Sequence, residues 1–451
     1  MQGIAVQGRN GVKWIVDAQA GGDMIGGDAT IFARATGSGR AAIAVIRISG
    51  ASSRHILEQL GGDLPAPRRA VVRALYAQDR ELLDRALVLW FPGPGSYTGE
   101  DSAELHLHAG PAVIEAVSDA LVALGARPAE PGEFTRRAFS NGRLDLLEAE
   151  GIADLIEAET QSQRRQALRQ ADGALSQLYQ GWAVRLRHLL AHQEALIDFP
   201  DEDLPPEIEA GLVRDLGQLL DEMRRHLDRG EQAQRIRSGL VVAVVGPPNV
   251  GKSSLVNRLA GRDAAIVSEW AGTTRDAIEV RLMLGGVPIT LVDTAGLRET
   301  VDPLEAEGVR RARQHASHAD LVLEVAAGLL PAEAETGRLR VWNKVDLASA
   351  PVGWIGVSAR TGDGIEQLEA ALVREVVRLT DTGAEPPMTR ARHRAGIDEA
   401  VGHLEAAQWL DLAELRGEAL RLAMQALGRL TGAIGVEDLL DSVFGQFCIG
   451  K

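Results

Sequence analysis

The stretch GPPNVGKS, residues 246–253, sits directly after the apolar run LVVAVV (240–245) and directly before the helical pattern SLVNRLAG (254–261). It fits the pattern G-x-x-x-x-G-K-S, and a preceding strand and following helix are the context which that pattern needs. The chemistry requires these residue types. Glycines let the backbone N–H groups of Asn249, Val250 and Gly251 approach phosphate oxygens, and the start of the helix favours an anion. Lys252 reaches toward the terminal phosphates, Ser253 can ligate Mg²⁺, and Ser254 follows in the same phosphate-facing turn. Such a strand, loop and helix open an α/β domain of the P-loop kind.

Working outward, PITLVDTAG (288–296) ends a strand with Asp293 placed to reach Mg²⁺ through water. Thr294 and Ala295 follow, and Gly296 offers its N–H to a γ-phosphate. NKVD (343–346) follows the strand pattern RLRVW, and SAR (358–360) follows WIGV. The Asp346 carboxylate can accept both the N1–H and the exocyclic amine of guanine, a pairing that adenine cannot supply. Asn343, Lys344, Ser358, Ala359 and Arg360 frame that base site. These motifs in this order imply a GTPase. Leu297 stands where Ras-type GTPases carry a glutamine that orients the attacking water. Hydrolysis therefore needs another polar group, or the domain only binds GTP. Glu299, Asp302, Glu305 and Glu307 in RETVDPLEAEG (298–308) are the acidic candidates, and the residues alone do not choose among them.

A length of 451 residues suggests about three domains at roughly 150 residues each. A single cysteine, Cys448, excludes a disulfide framework and cysteine-rich zinc sites. With no signal peptide in view, the expected compartment is the cytoplasm. The apolar runs fall short of the roughly 20 residues that span a bilayer, so no membrane anchor is expected. A net charge of −15 argues against a general nucleic-acid coat protein, although a local basic patch could still hold a particular RNA.

Residues 1–23 are Gly-rich and read as an upstream start or added extension before Met24. From 24 to 141, short apolar strands such as AIAVIRISG and AELHLHAG alternate with Gly/Pro turns and the helical run PAVIEAVSDALVALG, as in an α/β or α+β domain. Residues 142–234 read as a long Pro-free helical domain, broken at a hairpin tip by DFPDEDLPPE (198–207). The α/β nucleotide domain occupies 235–372. Residues 373–451 are helical again and close the interrupted helical domain around it.

The residues then resemble one family, the bacterial tRNA-modification GTPases known as MnmE or TrmE, from about Thr30 to Lys451. Its marks are AIVSEWAGTTRD (265–276), DTAGLRET (293–300), WFPGPGSYTGED (90–101), RPAEPGEFTRRAF (127–139), LDLLEAEGIADLI (144–156) and the terminal CIGK (448–451). The resemblance implies a loop over the phosphates, Ser268 to Thr274, running through Glu269, Trp270, Ala271, Gly272 and Thr273. Carbonyls of Ser268, Trp270 and Thr273 would hold K⁺ together with Asn249, and Thr274 would be the second Mg²⁺ ligand. It also implies that Glu305 is the catalytic acid. For the N-terminal domain it implies a tetrahydrofolate-binding fold that makes a constitutive homodimer, with Arg47, Glu104, Arg143 and Lys451 lining the folate site. Position 143 holds arginine where the family is associated with lysine. The segment EVAAGLLPAEAETGRLRVW (324–342) is short, which predicts a reduced helix there.

The resemblance thus implies a K⁺-stimulated GTPase acting with an FAD-containing, MnmG-like partner in a heterotetramer. The pair would modify wobble uridine in tRNA with a one-carbon unit from 5-formyl- or methylene-tetrahydrofolate. The rivals are a regulatory GTPase switch or ribosome-assembly factor without modification chemistry, and a folate-dependent transferase with a vestigial GTPase domain. Cys448 has two readings as well: a small apolar residue packed beside Phe444, Phe447 and Ile449, or a thiol carried by the tail into a functional site.

Overall fold

In IAVIRIS (β4, Ile43–Ser49) the side chains alternate between two environments: Ala44, Ile46 and Ile48 are buried, while Val45 and Arg47 are half-buried. That alternation is what a sheet with one covered face requires. The computed structural model describes the chain except for residues 1–3, 8–12, 17–28, 38, 199–205, 262–277, 294–318, 329–337, 381–385, 387, 434–439, 441–442, 446, 448–449 and 451. It divides into two compact units, 1–150 with 432–451, and 151–431.

The first unit opens with a small antiparallel pair, β1 (Ile4–Gln7) and β2 (Lys13–Val16), so pairing begins ahead of Met24. Its main sheet contains β3 (Ile31–Arg34), β4, β5 (Val71–Tyr76), β6 (Leu82–Phe91), β7 (Ser102–His108) and β8 (Arg127–Pro128) in the order β5-β6-β7-β4-β3-β8. Helices α1 (Ser53–Gly61) and α2 (Pro111–Ala123) pack on the apolar face, burying Ile56, Leu57, Val117 and Leu121 against Ile46, Ile48, Val88 and Leu105. A smaller cluster of Ile31, Ala33, Ala129 and Phe134 forms where α3 (Glu133–Ser140) meets β3. The C-terminal tail returns to this unit: Phe444 and Phe447 are buried, and the Phe444 ring lies 6.2 Å from Phe139.

The helical run after residue 142, which the second unit takes up from residue 151, is divided into several helices. It forms α4 (Leu146–Glu157), α5 (Gln161–Ala171) and α6 (Ala174–Asp198). The breaks have local causes. Thr160 caps α5, its hydroxyl accepting from Gln163 N while the Gln163 amide oxygen accepts from Thr160 N. Gly173 takes φ +80, a left-handed conformation favouring glycine. Beyond the hairpin, α7 (Pro206–Ser238) begins on a proline, the residue best suited to a first helical position.

The inserted sheet contains β9 (Leu240–Val245), β10 (Ile278–Leu284), β11 (Val287–Asp293), β12 (Leu321–Ala326), β13 (Arg338–Trp342) and β14 (Ile355–Gly356), with α8 (Lys252–Ala260) and α9 (Ile365–Thr380) beside it. The order is β10-β11-β9-β12-β13-β14, parallel except for the β10–β11 hairpin. The chain then resumes as α10 (Ala391–Trp409) and α11 (Ala413–Thr431), which pack on α7 and α6. The helical layer is therefore discontinuous in sequence, as expected. At its centre Tyr179 hydrogen-bonds His226 at 3.2 Å and stacks on Trp182. The reduced helix expected within 324–342 lies mostly outside the described residues. Among the described residues no helix is long and apolar enough to cross a membrane.

Gly132 caps α3 at φ +70, and a Cβ there would run into the Phe444 carbonyl. Gly132→Ala is expected to lower stability by about 1–3 kcal/mol through backbone strain and displacement of the tail. Thermal unfolding measures it. Deleting residues 440–451 should shrink the difference to the strain alone, and an undiminished difference would show that the tail does not seat there.

Candidate functional site

The site is assembled at the carboxyl ends of β9, β13 and β14, where a parallel sheet presents its loops on one edge. The loop between β9 and α8 is kept tight by close approach. A Cβ on Gly246 would strike the Val325 carbonyl, and one on Gly251 would strike the Asn343 amide. Asn249 itself is left-handed at φ +63. Lys252 is buried, and its ammonium donates to the carbonyls of Gly246 at 2.7 Å and Pro247 at 2.9 Å, along the inner edge of the loop. Val250 is buried, Ser253 half-buried and Ser254 exposed.

Asn343 joins this loop to the base-reading segments. Its Nδ2 donates to the Val250 carbonyl at 2.8 Å, while its Oδ1 accepts from Lys344 N at 2.8 Å and Ala359 N at 3.0 Å. Lys344, left-handed at φ +66, donates through Nζ to the Asn249 carbonyl at 2.8 Å. Asp346 is held from both sides: Ser358 Oγ donates to Oδ1 at 2.6 Å, and Arg360 Nη2 lies 2.8 Å from Oδ2. The Ser358 hydroxyl, with help from Arg360, keeps this carboxyl below its ordinary range despite the cost of desolvation. The acceptor that guanine needs is therefore ionised, and Arg360, exposed and at the end of a long stem, is the partner that can yield Oδ2 to the base. Asp293 ends β11 in parallel register with Val244, beside the phosphate loop.

Thus 249–254, 343–346 and 358–360 converge on one edge. Ser268, Glu269, Trp270, Ala271, Gly272, Thr273, Thr274, Thr294, Ala295, Gly296 and Glu305 lie outside the described residues, as do Cys448 and Lys451 and the side chain of Asp293.

The first unit holds a second polar cluster. Arg47 and Glu104 are cross-strand partners on β4 and β7, with Arg47 Nη2 3.0 Å from Glu104 Oε1. His106 Nε2 lies 3.5 Å from the other Glu104 oxygen. The Arg47 guanidinium is 5.5 Å from the Tyr97 ring centre and 5.8 Å from that of Phe134, within cation–π range. Burial pushes the Tyr97 hydroxyl above its usual pKa, against the opposing effects of Thr135 and Arg47. Arg143 is exposed and lies along Gly99, whose added Cβ would sit 3.2 Å from Arg143 Cγ. The structure brings Arg47 to Glu104. Tyr97, Phe134 and His106 were missed as neighbours, although WFPGPGSYTGED and RPAEPGEFTRRAF contain the two aromatics.

On α3, next in sequence to Phe134, Glu133 accepts from Arg127 and from Arg137 Nη2 at 2.9 Å, and Arg137 Nη1 reaches Glu100 at 3.1 Å. Burial opposes ionisation of Glu133, but the bonds from Arg127, Glu130 N and Arg137 outweigh it and hold its pKa low. The loop 92–101 is thereby tied to α3.

These loops define the class: a P-loop nucleotide-binding protein with the base-reading segments of a GTPase. Residues 146–448 match the MnmE helical domain family, and residues 30–143 match the family described as GTP-binding protein TrmE N-terminus. The tRNA modification GTPase MnmE of Gluconacetobacter diazotrophicus is 66% identical over 428 residues, covering 93% of this chain and 98% of that protein. That of Granulibacter bethesdensis is 55% identical, covering 94% and 99%. Among solved structures, the G domain of the T. maritima FeoB iron transporter is 26% identical over 32% of this chain and 99% of its own, with a TM-score of 0.24. The chain belongs to the MnmE family of tRNA modification GTPases. It binds and hydrolyses GTP in tRNA modification.

Asp346→Asn is expected to weaken guanine nucleotides and favour xanthine nucleotides, because an amide donates to the xanthine carbonyl where the carboxylate only accepts. Competition binding between GTP and XTP checks this. An unchanged preference for GTP would move the base site elsewhere.

Proposed function

We propose that this chain is a homodimeric, K⁺-stimulated GTPase of the cytoplasm that joins a flavin-dependent, MnmG-like partner in a heterotetramer. Together they convert the wobble uridine of certain tRNAs to the 5-carboxymethylaminomethyl type, with a one-carbon unit carried on 5-formyl- or methylene-tetrahydrofolate. The observation that carries this reading is the pairing of a guanine-reading site with a separate polar cluster, Arg47 and Glu104 beside two aromatic rings, in a chain of this family. A GTP-dependent switch alone has no use for the second.

The donor sets suit these roles. A folate offers a flat ring with N–H donors and an anionic tail. Glu104 is a carboxylate acceptor, Tyr97 and Phe134 give flat surfaces, and Arg47 and Arg143 supply positive charge, with Lys451 as a further cation. The reading is supported by where the tail comes back to the sheet: Gly450 is backed against the Arg34 carbonyl, one residue along β3 from Ala33, the cross-strand partner of Arg47. Cys448 is thereby a candidate for the chemistry or for packing. Apolar residues on the β5–β6 edge, Val72, Tyr76 and Leu82, stand exposed and suit a surface shared with a second copy.

At the phosphates, Lys252 would hold the β- and γ-oxygens, with Mg²⁺ on Ser253 and Thr274 and Asp293 acting through water. Asn249, with the carbonyls of Ser268, Trp270 and Thr273, would hold K⁺, which supplies positive charge between the phosphates. Glu305 would position and polarise the attacking water, the role Leu297 cannot fill.

Hydrolysis should be much faster in K⁺ than in Na⁺, and in K⁺ it should fall by about 10²–10⁴-fold in Glu305→Ala while GTP affinity stays near wild type. Equal rates in the two salts would remove the cation from the reading. Unchanged turnover in the variant would return Glu305 to a surface charge.

Nucleoside analysis of tRNA from cells lacking the protein tests the reading as a whole, with loss of the modified wobble uridine expected. Complementation with Cys448→Ser, or with a chain lacking residues 448–451, is expected to leave the modification missing while the purified variant still hydrolyses GTP. Restored modification would reduce the tail to packing.

A further inference from the structure

The motif LDLLEAEGIADLI contains a carboxylate that the nucleotide and Arg47 clusters do not use. Asp154, on α4, is buried at 9% exposure, and a single oxygen of it, Oδ1, accepts from two arginines far apart in sequence. Arg237 Nε is 2.8 Å away and Arg390 Nη2 is 2.8 Å away. These arginines mark the two places where the chain crosses between the helical layer and the inserted sheet: Arg237 ends α7 just before β9, and Arg390 precedes α10 on the way back. Among the described residues the other oxygen, Oδ2, has no hydrogen-bond partner.

Both crossings are also tied to α5. Gln163 Nε2 donates to the Arg237 carbonyl at 3.1 Å, and Thr389 Oγ1 donates to Gln170 Oε1 at 2.9 Å. The helices α4 and α5 are themselves fixed against each other, since a Cβ on Gly151 would collide with the backbone of Gln170 and Ala171. On the other side lies a cavity of 690 Å³, with Gln163 and Arg237 on one wall and Arg281, Met283 and Thr290 of β10 and β11 on the other. The inserted sheet therefore has room beside the clamp.

The link to the nucleotide is short. β9 starts three residues after Arg237 and ends at the phosphate loop, about 20 Å along a strand. Arg235 pairs with Asp320 at 2.8 Å, and Asp320 Oδ2 accepts from Val241 N at 2.9 Å, so the base of β9 is held to the end of α7. Because both crossings bond the same oxygen of Asp154, any tilt of the sheet relative to the helical layer would strain one of the two bonds.

We propose that Asp154 is a positioning residue that couples the inserted GTPase domain to the helical layer: its carboxylate clamps both chain crossings and so sets the domain's orientation. The carboxylate accepts from both guanidiniums through charge-assisted hydrogen bonds, which are roughly twice as strong as neutral ones. Loss of its charge leaves the GTP pocket untouched but loosens the two crossings.

The test uses the full chain. Spin labels at Val352→Cys and Trp409→Cys, both highly exposed and on the inserted domain and helical layer respectively, report the distance between them in a Cys448→Ser background. Asp154→Asn should broaden the distance distribution, and Asp154→Glu, which keeps the charge, should restore much of its width. Arg390→Lys keeps every charge but loses the planar fork, so it should broaden the distribution too; it also decides the matter if Asp154→Asn fails to fold. In the native-cysteine background, basal GTP hydrolysis by Asp154→Asn should stay within about twofold of wild type, while modification per GTP falls by about 2- to 30-fold, the usual range for a lost coupling. This second arm rests on the tRNA-modification reading, whereas the distance arm does not. An unchanged distribution in Arg390→Lys, or hydrolysis falling in step with modification, overturns the assignment.

Discussion

The side-chain amide of Asn343 is the joint on which the nucleotide site depends. It is buried at 2% exposure and bonds the phosphate loop through Val250, its own segment through Lys344, and the last loop through Ala359. Each such bond contributes only about 1 kcal/mol net, but a buried backbone group left without its partner costs about 1–3 kcal/mol. Three loops from three strands are thus held to one planar group. Gly251 follows from it, because that position must lack a side chain where the amide passes. The left-handed backbone at Asn249 and Lys344 sits on either side of the same joint, bridged by the Lys344 ammonium.

The first unit solves a different problem, that of holding a polar cluster on a sheet face. Arg127, Glu133, Arg137 and Glu100 form a chain of alternating charge under the loop 92–101. Desolvation takes back much of the Coulombic gain of buried pairs, so their main effect is geometric. Arg137 also donates to the Ala29 carbonyl at 2.8 Å, fixing the strand edge beside the loop. What results is a fixed spacing between the loop that carries Tyr97 and the helix that carries Phe134, the two rings beside Arg47.

How much of this was legible in sequence follows from the range of each interaction. The phosphate loop and the base motifs are local patterns, and β9, β13 and β14 lie where their apolar runs placed them. The interrupted helical layer was readable because two helical blocks flank an α/β pattern. The breaks at Thr160 and Gly173 were written locally, as a capping box and a glycine, yet a continuous Pro-free periodicity hid them. Alternation along β4 and β7 shows that Arg47 and Glu104 each occupy one face, but their register joins residues 57 apart. Arg390 meets Asp154 across 236 residues, and nothing near either residue announces it. Long-range partners are set by packing of whole elements.

The convergence of the two crossings has a further meaning for the architecture. Where a chain leaves and re-enters a layer at a single carboxylate, the ends of the intervening segment lie close together, the geometry that lets one domain be spliced into another without disturbing either. The helical layer could in principle be closed over by a short linker in place of residues 239–388, and the excised segment has its own sheet and its own apolar core. The inserted domain is a cassette, and the scaffold carrying it needs only a pair of adjacent attachment points.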